Sequence, residues 1–459
     1  MTRWKQSLPY MLMLTVALPL LSLAQEEPAT KAETTTRQEL EETRDALQGL
    51  SDSFAEYRGI VDVLRKIKIS GYIQSQYRST DLVSTPYAVG AFSGGAFPTN
   101  SKGLFQIRRG RLKVTYDNVL TQYVLQIDAI PTGVSLKDAY VAITEPWTKS
   151  FGFQMGVFDR PFGYEISYSS SSRETPERSR LFQTLFPGER GTGAKLFYAP
   201  QLGVLSMLRA DVGIFNGSGP SALEFDNFKD LIGHVAYQIP FDDIGAALDI
   251  GLSGHLGSTR SSSRYIYEAG TLPDGAPDYS VDSASTNVSR GMNRQYIGLD
   301  TQFYYDLPLL GGTILRGEYI TGTQPGLAGS STSISALPTT PIYSRKFTGW
   351  YAYLIQNIGQ ANQLVLKYDV YDPNTDVAAS DFAASNTSGA TGLSATDITV
   401  STLGLGWIYH WDDNVKFVFY YEIVNNEKLT NLAGTSSSLS IYSDDVRDNV
   451  LTLRTQVKF

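Results

Sequence analysis

Val446-Arg447-Asp448-Asn449-Val450-Leu451-Thr452-Leu453-Arg454-Thr455-Gln456-Val457-Lys458-Phe459 closes the chain. In an extended strand successive side chains point to opposite faces. Leu451, Leu453, Val457 and Phe459 therefore share one face, and Thr452, Arg454, Gln456 and Lys458 share the other. A strand that is apolar outside and charged inside suits a membrane barrel, whose outer face meets lipid and whose inner face meets a wet lumen.

The opposite end agrees. Arg3 and Lys5 precede an apolar run from Leu8 to Leu21, and Ser22-Leu23-Ala24 offers a small-residue cleavage site before Gln25. This reads as a secretory signal peptide over 1–24. After it, no apolar run approaches the roughly 20 residues of a spanning helix. The chain is thus expected to be exported and to meet the membrane, if at all, with strands.

Composition narrows the function. The formal charge is −8 and falls to −10 when Arg3 and Lys5 leave with the signal, which argues against nucleic acid as a partner. There is no Cys, so an exported chain has neither a disulfide framework nor a thiolate metal site. The three His (His234, His255, His410) are far apart in sequence, and no metal or other cofactor is implied. Tyr (28) outnumbers Phe (21), as the interfacial girdles of a barrel favour.

Residues 25–65 form a separate segment. Leu40, Thr43, Leu47, Leu50, Phe54, Tyr57, Val61 and Leu64 recur at alternating spacings of three and four, with charged residues beside them. This heptad seam predicts a short coiled coil, or alternatively one amphipathic helix lying on a barrel rim.

From Lys66 the period changes to two. Ile297, Leu299, Phe303 and Tyr305 oppose Gly298, Asp300, Gln302, Tyr304 and Asp306; Leu405, Trp407, Tyr409 and Trp411 share another apolar face; Phe417, Phe419, Tyr421 and Ile423 oppose Lys416, Tyr420 and Glu422. Strands are expected near 66–79, 103–117, 120–130, 133–145, 149–159, 190–200, 203–216, 227–240, 244–258, 291–307, 311–322, 342–357, 362–372, 396–411, 414–426 and 446–459. Short turns such as Asp117-Asn118, Pro131-Thr132 and Asp412-Asp413 mostly alternate with long Gly/Ser/Thr/Ala-rich loops at 80–102, 160–189, 259–290, 323–341, 373–395 and 427–445. The expected fold is all-β: a sixteen-stranded antiparallel transmembrane β-barrel over 66–459. A barrel of that size encloses an aqueous lumen.

Charges facing that lumen then decide what passes. In Phe105-Gln106-Ile107-Arg108-Arg109-Gly110-Arg111-Leu112-Lys113-Val114-Thr115-Tyr116, outward Leu112, Val114 and Tyr116 send Arg109, Arg111 and Lys113 inward. Arg108 then points outward unless a bulge intervenes. The three cations read as an anion ladder, or as partners of acidic neighbours such as Asp128. Lys68, Lys195, Arg209, Lys367, Lys416 and Arg454 face inward by the same alternation, several near Asp211, Asp369 or Glu422. The 160–189 loop is the candidate constriction. It carries Arg160, Arg173, Arg178 and Arg180, a helix start expected at Thr175-Pro176-Glu177, and Leu181, Phe182, Leu185 and Phe186 to anchor it to the wall. Gly188-Glu189-Arg190-Gly191-Thr192-Gly193-Ala194-Lys195 imitates a phosphate-binding loop, but it lacks the closing Gly-Lys-Ser/Thr and runs into a strand. No nucleophile elbow marks a hydrolase, so no enzyme activity is expected.

Taken in order, Ile107-Arg108-Arg109-Gly110-Arg111-Leu112, Leu136-Lys137-Asp138-Ala139-Tyr140-Val141, Phe153-Gln154-Met155-Gly156-Val157-Phe158-Asp159-Arg160-Pro161-Phe162-Gly163, Glu177-Arg178-Ser179 and Gly188-Glu189-Arg190-Gly191 resemble the phosphate-selective porin O and P family of bacterial outer membranes. The likeness is densest over about 66–216. The resemblance implies a homotrimeric porin with a periplasmic coiled coil, arginines that guide small anions such as phosphate, and contact with outer-membrane lipid. The final Phe459 is similar to the terminal aromatic that barrel-assembly machinery reads in such proteins. The residues expected to line an anion path are Arg109, Arg111, Lys113, Arg160, Arg173, Arg178, Arg180 and Lys195. A general or non-phosphate solute porin, or an envelope-tethering structural protein, are the alternatives.

Overall fold

A computed structural model describes residues 31–82, 89–220, 222–271, 277–382, 393–430, 432 and 439–459, so the signal peptide expected at 1–24 lies outside the described residues. One helix, α1 (Lys31–Leu64), forms a unit by itself. Its seam residues Leu40, Leu47, Leu50, Phe54, Tyr57 and Leu64 are all exposed.

The second unit, Lys66–Phe459, is a closed sheet. Its strands are β1 (Ile67–Thr80), β2 (Gly103–Asn118), β3 (Thr121–Ile130), β4 (Gly133–Thr144), β5 (Phe151–Asp159), β6 (Arg190–Tyr198), β7 (Leu208–Asn216), β8 (Lys229–Phe241) and β9 (Ala246–Arg260). After the hairpin β10 (Ile266–Thr271) and β11 (Pro277–Asp282) come β12 (Gly291–Leu307), β13 (Gly311–Gly326), β14 (Ile342–Ile358), β15 (Asn362–Asp372), β16 (Val400–His410), β17 (Val415–Asn426) and β18 (Val450–Lys458). Each wall strand pairs antiparallel with its neighbours, and β9 pairs directly with β12, from Arg260↔Gly291 to Ala246↔Tyr305. The terminal strand closes the ring, with Thr80↔Val450 through Tyr72↔Lys458, and Gly71 exchanges two 3.0 Å backbone hydrogen bonds with Phe459. Sixteen strands make the wall. The hairpin β10–β11 belongs to the long loop after β9, where no strand was expected. It leans on the sheet through a short parallel pairing, Ile266↔Ile342 to Glu268↔Ser344.

The alternation has the sense the sequence requires. Leu451, Leu453 and Val457 are exposed, while Thr452, Arg454 and Gln456 are buried inside. Ile297 and Leu299 face out; Asp300 faces in. No described helix is long and apolar enough to cross a membrane. Outward aromatic pairs sit near the short turns: Tyr116 with Tyr123 (ring centroids 5.9 Å apart), Phe151 with Tyr198 (4.5 Å), and Trp407 with Phe419 (5.0 Å). The tyrosine and tryptophan rings among them, apolar in body with a polar group, suit the membrane–water boundary.

The apolar core of the unit lies inside the lumen. The loop between β5 and β6 folds inward, and its Phe162, Ile166, Leu181, Phe182, Leu185 and Phe186 are buried against Tyr296, Ile320, Phe347 and Tyr351 of the wall. Each such burial is worth about 1.5–3 kcal/mol before ordering costs, which is what holds a polar loop of thirty residues inside a channel. Its only helix, α2 (Arg180–Leu185), starts after Ser179. The helix start expected at Thr175 is therefore misplaced: the Thr175 hydroxyl donates to the Glu177 carbonyl (2.8 Å), a local bond that competes with helical pairing.

Candidate functional site

The loop circles much of the lumen. It turns inward at Gly163, where φ is +61° and a side chain would strike the Glu318 carboxylate. Gly163 N–H donates to Ser253 Oγ on β9 (2.8 Å) and Glu165 N–H to Glu318 Oε1 on β13 (2.6 Å). The far side is tied to β1, β17 and β18. Gln74 and Gln456 donate to the Ser170 and Ser171 carbonyls (both 2.9 Å), Lys416 Nζ to the Arg173 carbonyl (3.2 Å), and Arg454 to the Pro176 carbonyl (2.8 Å).

At the tip Glu177 gathers three arginines. It pairs with Arg109 at 2.6 Å, Arg108 at 2.9 Å and Arg454 at 3.1 Å. Burial pushes its carboxyl up, but the guanidinium groups outweigh burial and hold it well below the ordinary carboxylate range. Arg108 can join because β2 bulges there: Gln74 faces Arg109, yet Ser75 faces Ile107. The extra residue turns inward beside Arg109. A second bulge, in β4, does the same. Gln126 faces Asp138 and Ile127 faces Leu136, which leaves Lys137 as the extra residue beside inward Asp138.

The wall from β2 to β7 carries a dense pattern of charge. Every carboxylate on it is paired: Asp117 with Lys68 (2.9 Å), Asp128 with Arg111 (3.3 Å), Asp138 and Asp159 with Arg190 (3.0 and 3.1 Å), and Asp211 with Lys195 (2.8 Å). Lys113, Lys137 and Arg209 make no ion pair among the described residues. Lys113 stands opposite Gln126, and Arg209 lies in the field of Asp249 without pairing it. A cavity of about 600 Å³ opens at the short-turn end of this wall, lined in part by Gln122, Gln154, Lys195, Arg209 and Asp211.

The expected path residues divide by partner. Arg109, Arg111 and Lys195 face inward but are held by carboxylates; Lys113 faces inward and is free of one. Arg160 donates to the Glu189 and Pro187 carbonyls and covers the Phe186 ring at 4.9 Å. Arg178 donates to the carbonyls of Glu165, Ile166 and Tyr168 and to the Glu189 carboxylate, so it ties the loop to itself. Arg180 lies over Phe92 at 4.3 Å. Arg173 is buried, and none of its three guanidinium nitrogens has a hydrogen-bond partner among the described residues. Burial, with Arg178 and Arg109 close by, pulls it down to about 10, so it stays charged at neutral pH. Sequence reading missed Lys137, whose inward side chain only the bulge reveals. It also missed Arg316, which pairs with Glu174 at 3.1 Å.

No family model matches this chain, and no curated protein matches it in sequence. Solved structures do match. The high-pH structure of Pseudomonas putida OprB aligns with TM-score 0.57 at 9% identity, over 87% of this chain and 96% of that one. The anion-selective porin from Comamonas acidovorans gives 0.48 at 11% identity, over 86% and 99%. The outer membrane channel DcaP of Acinetobacter baumannii gives 0.47 at 12% identity, over 86% and 97%. At 9% identity the likeness to OprB is one of fold alone: the chain is a closed sixteen-stranded antiparallel β-barrel.

Proposed function

We propose that this chain is an outer-membrane porin that lets small anions, phosphate among them, diffuse passively through a water-filled lumen. The observation that carries this reading is the β2–β7 wall, where every carboxylate is ion-paired, Asp138 and Asp159 sharing Arg190, and the charges without an ion pair among the described residues, on Lys113, Lys137 and Arg209, are all positive and outnumber that one shared deficit. Arg173 adds a fixed positive charge at the loop tip. A net charge of −8 over the whole chain does not oppose this, because a passing ion feels the lumen charges within about 10 Å at 0.1 M salt. The sequence likeness to phosphate-selective porins supports phosphate as a member of the class.

Assembly belongs to the same proposal. The exposed seam of α1 supports a periplasmic coiled coil that joins three copies, and the aromatic Phe459, paired to Gly71, supports recognition by barrel-assembly machinery. A second reading, a porin with little charge preference, is favoured by the extent of pairing around Glu177 and along the wall. Reversal potential across a planar bilayer under a KCl gradient tests both. An anion-selective wild type whose chloride current is blocked by phosphate supports the first reading. A cation-selective channel overturns it, and anion selectivity without phosphate block leaves the phosphate assignment wrong.

A further inference from the structure

A separate small cavity, of about 200 Å³, lies at the long-loop end of the barrel, between the loop after β1, the start of β16, the end of β17 and the segment before β18. Two opposite charges stand on its wall, Arg180 and Asp448. Each lies in the field of the other, yet they form no ion pair together; the buried Nε of Arg180 has no hydrogen-bond partner, and the Asp448 carboxyl meets only its own backbone N–H among the described residues. The Arg180 guanidinium carbon lies 4.3 Å from the centre of the Phe92 ring, a contact that holds it without using its N–H groups. Val89, Ile398, Val424 and Val446 supply apolar surface around the two charges.

We propose that this cavity binds a small zwitterion of the amino-acid type, its carboxylate on Arg180, its ammonium on Asp448 and a small apolar side chain against the valines and Ile398. A simple anion fits less well: on reaching Arg180 it also meets Asp448, with Asp369 and Glu422 in the same field. A simple cation meets the reverse problem. A molecule with both charges satisfies both groups, and each charge-assisted hydrogen bond adds to the next. The volume matches six or seven waters at about 30 Å³ each, well below the roughly 300–1,000 Å³ of a drug-sized pocket.

The test is calorimetric titration of the full chain in detergent with L-alanine, acetate and methylammonium. Alanine is expected to bind at least tenfold tighter than either one-charge probe. Arg180→Gln and Asp448→Asn should each weaken alanine at least tenfold, with heat-modifiable migration on gels confirming that the barrel has formed. Exchanging the charges, Arg180→Asp together with Asp448→Arg, should restore binding, because a zwitterion can sit the other way round. Acetate binding as tightly as alanine, or alanine binding unchanged in both single variants, overturns the proposal. Restoration failing in the exchanged variant while its barrel forms also overturns it.

Discussion

Replacing Lys113 and Lys137 together by Gln removes the two lumen cations on β2 and β4 that have no ion pair among the described residues. A unit charge 4 Å from a passing ion is worth about 1 kcal/mol even at the dielectric of bulk water. Its loss raises the anion by that amount and lowers the cation by the same amount. Each substitution thus moves the anion-over-cation ratio by up to about 2 kcal/mol, where roughly 1.4 kcal/mol is a factor of ten. Allowing for ions that pass further away, the double variant should lose tenfold or more in anion preference. The assay is reversal potential under a KCl gradient centred near 0.1 M. Near 1 M, where the Debye length shrinks to about 3 Å, the difference from wild type should largely disappear. Stability should hold within about 0.5 kcal/mol, because no buried carboxylate is stranded. An unchanged reversal potential at 0.1 M in a correctly formed barrel would refute the reasoning, since it would mean that the unpaired cations do not face the ion path.

Glu177→Gln should do the opposite kind of damage. It strands Arg108, Arg109 and Arg454, and loss of one member of a buried ion cluster costs about 3–5 kcal/mol, so the temperature at which the barrel loses heat-modifiable migration should fall. The wild-type cluster is also pH-dependent with a definite sign. The folded carboxyl lies below its unfolded value near ~4.3, so its contribution is complete above that pH and fades as pH falls through the lowered folded value; melting at pH 6, 4 and 2 should show a loss confined to the acid end. Leu47→Asp with Leu50→Asp places charges in the exposed seam of α1, and native mass spectrometry should then report one chain where wild type reports three. A wild-type mass of one chain would end the trimer proposal while leaving the barrel intact.

The strand count was legible because each strand separates two media. A residue on the wrong face is costly, so alternation is strict and its period can be read without any contact information. Two things were hidden, for different reasons. The hairpin β10–β11 has no lipid face and no alternation to betray it; its pairing with β14 is a tertiary contact. The bulges at Arg108 and Lys137 break the parity on which the reading depends. Counting back from outward Leu112 places Arg109 inside correctly, but only the register with β1 shows Arg108 inside as well. The inward loop was legible from its apolar residues, whereas the local bond at Thr175 that delays α2 was not.

Under the proposed function, the two bulges account for a cationic path in an acidic chain. Regular alternation allots each strand one inward residue in two, and on this wall each inward carboxylate has a cationic partner, Asp138 and Asp159 sharing Arg190. A bulge adds an inward residue without adding a strand. On β2 the added residue, Arg108, brings a third guanidinium to Glu177, so the loop tip is held with cationic charge in excess of its one carboxylate. On β4 the added residue, Lys137, stands beside Asp138, whose charge is already taken by Arg190. The paired positions hold the wall and loop in shape and cannot be neutralised singly without cost; the added ones tune the field at little structural cost. A variant that straightens β4 by deleting Lys137 leaves Gln126↔Asp138, Ile127↔Leu136 and Asp128↔Ser135 as consecutive pairs, so it should keep the barrel and the Asp128–Arg111 pair and lose as much anion preference as Lys137→Gln. A deletion variant with clearly weaker anion preference than the Gln variant would show that the bulge shapes the path as well as carrying its charge.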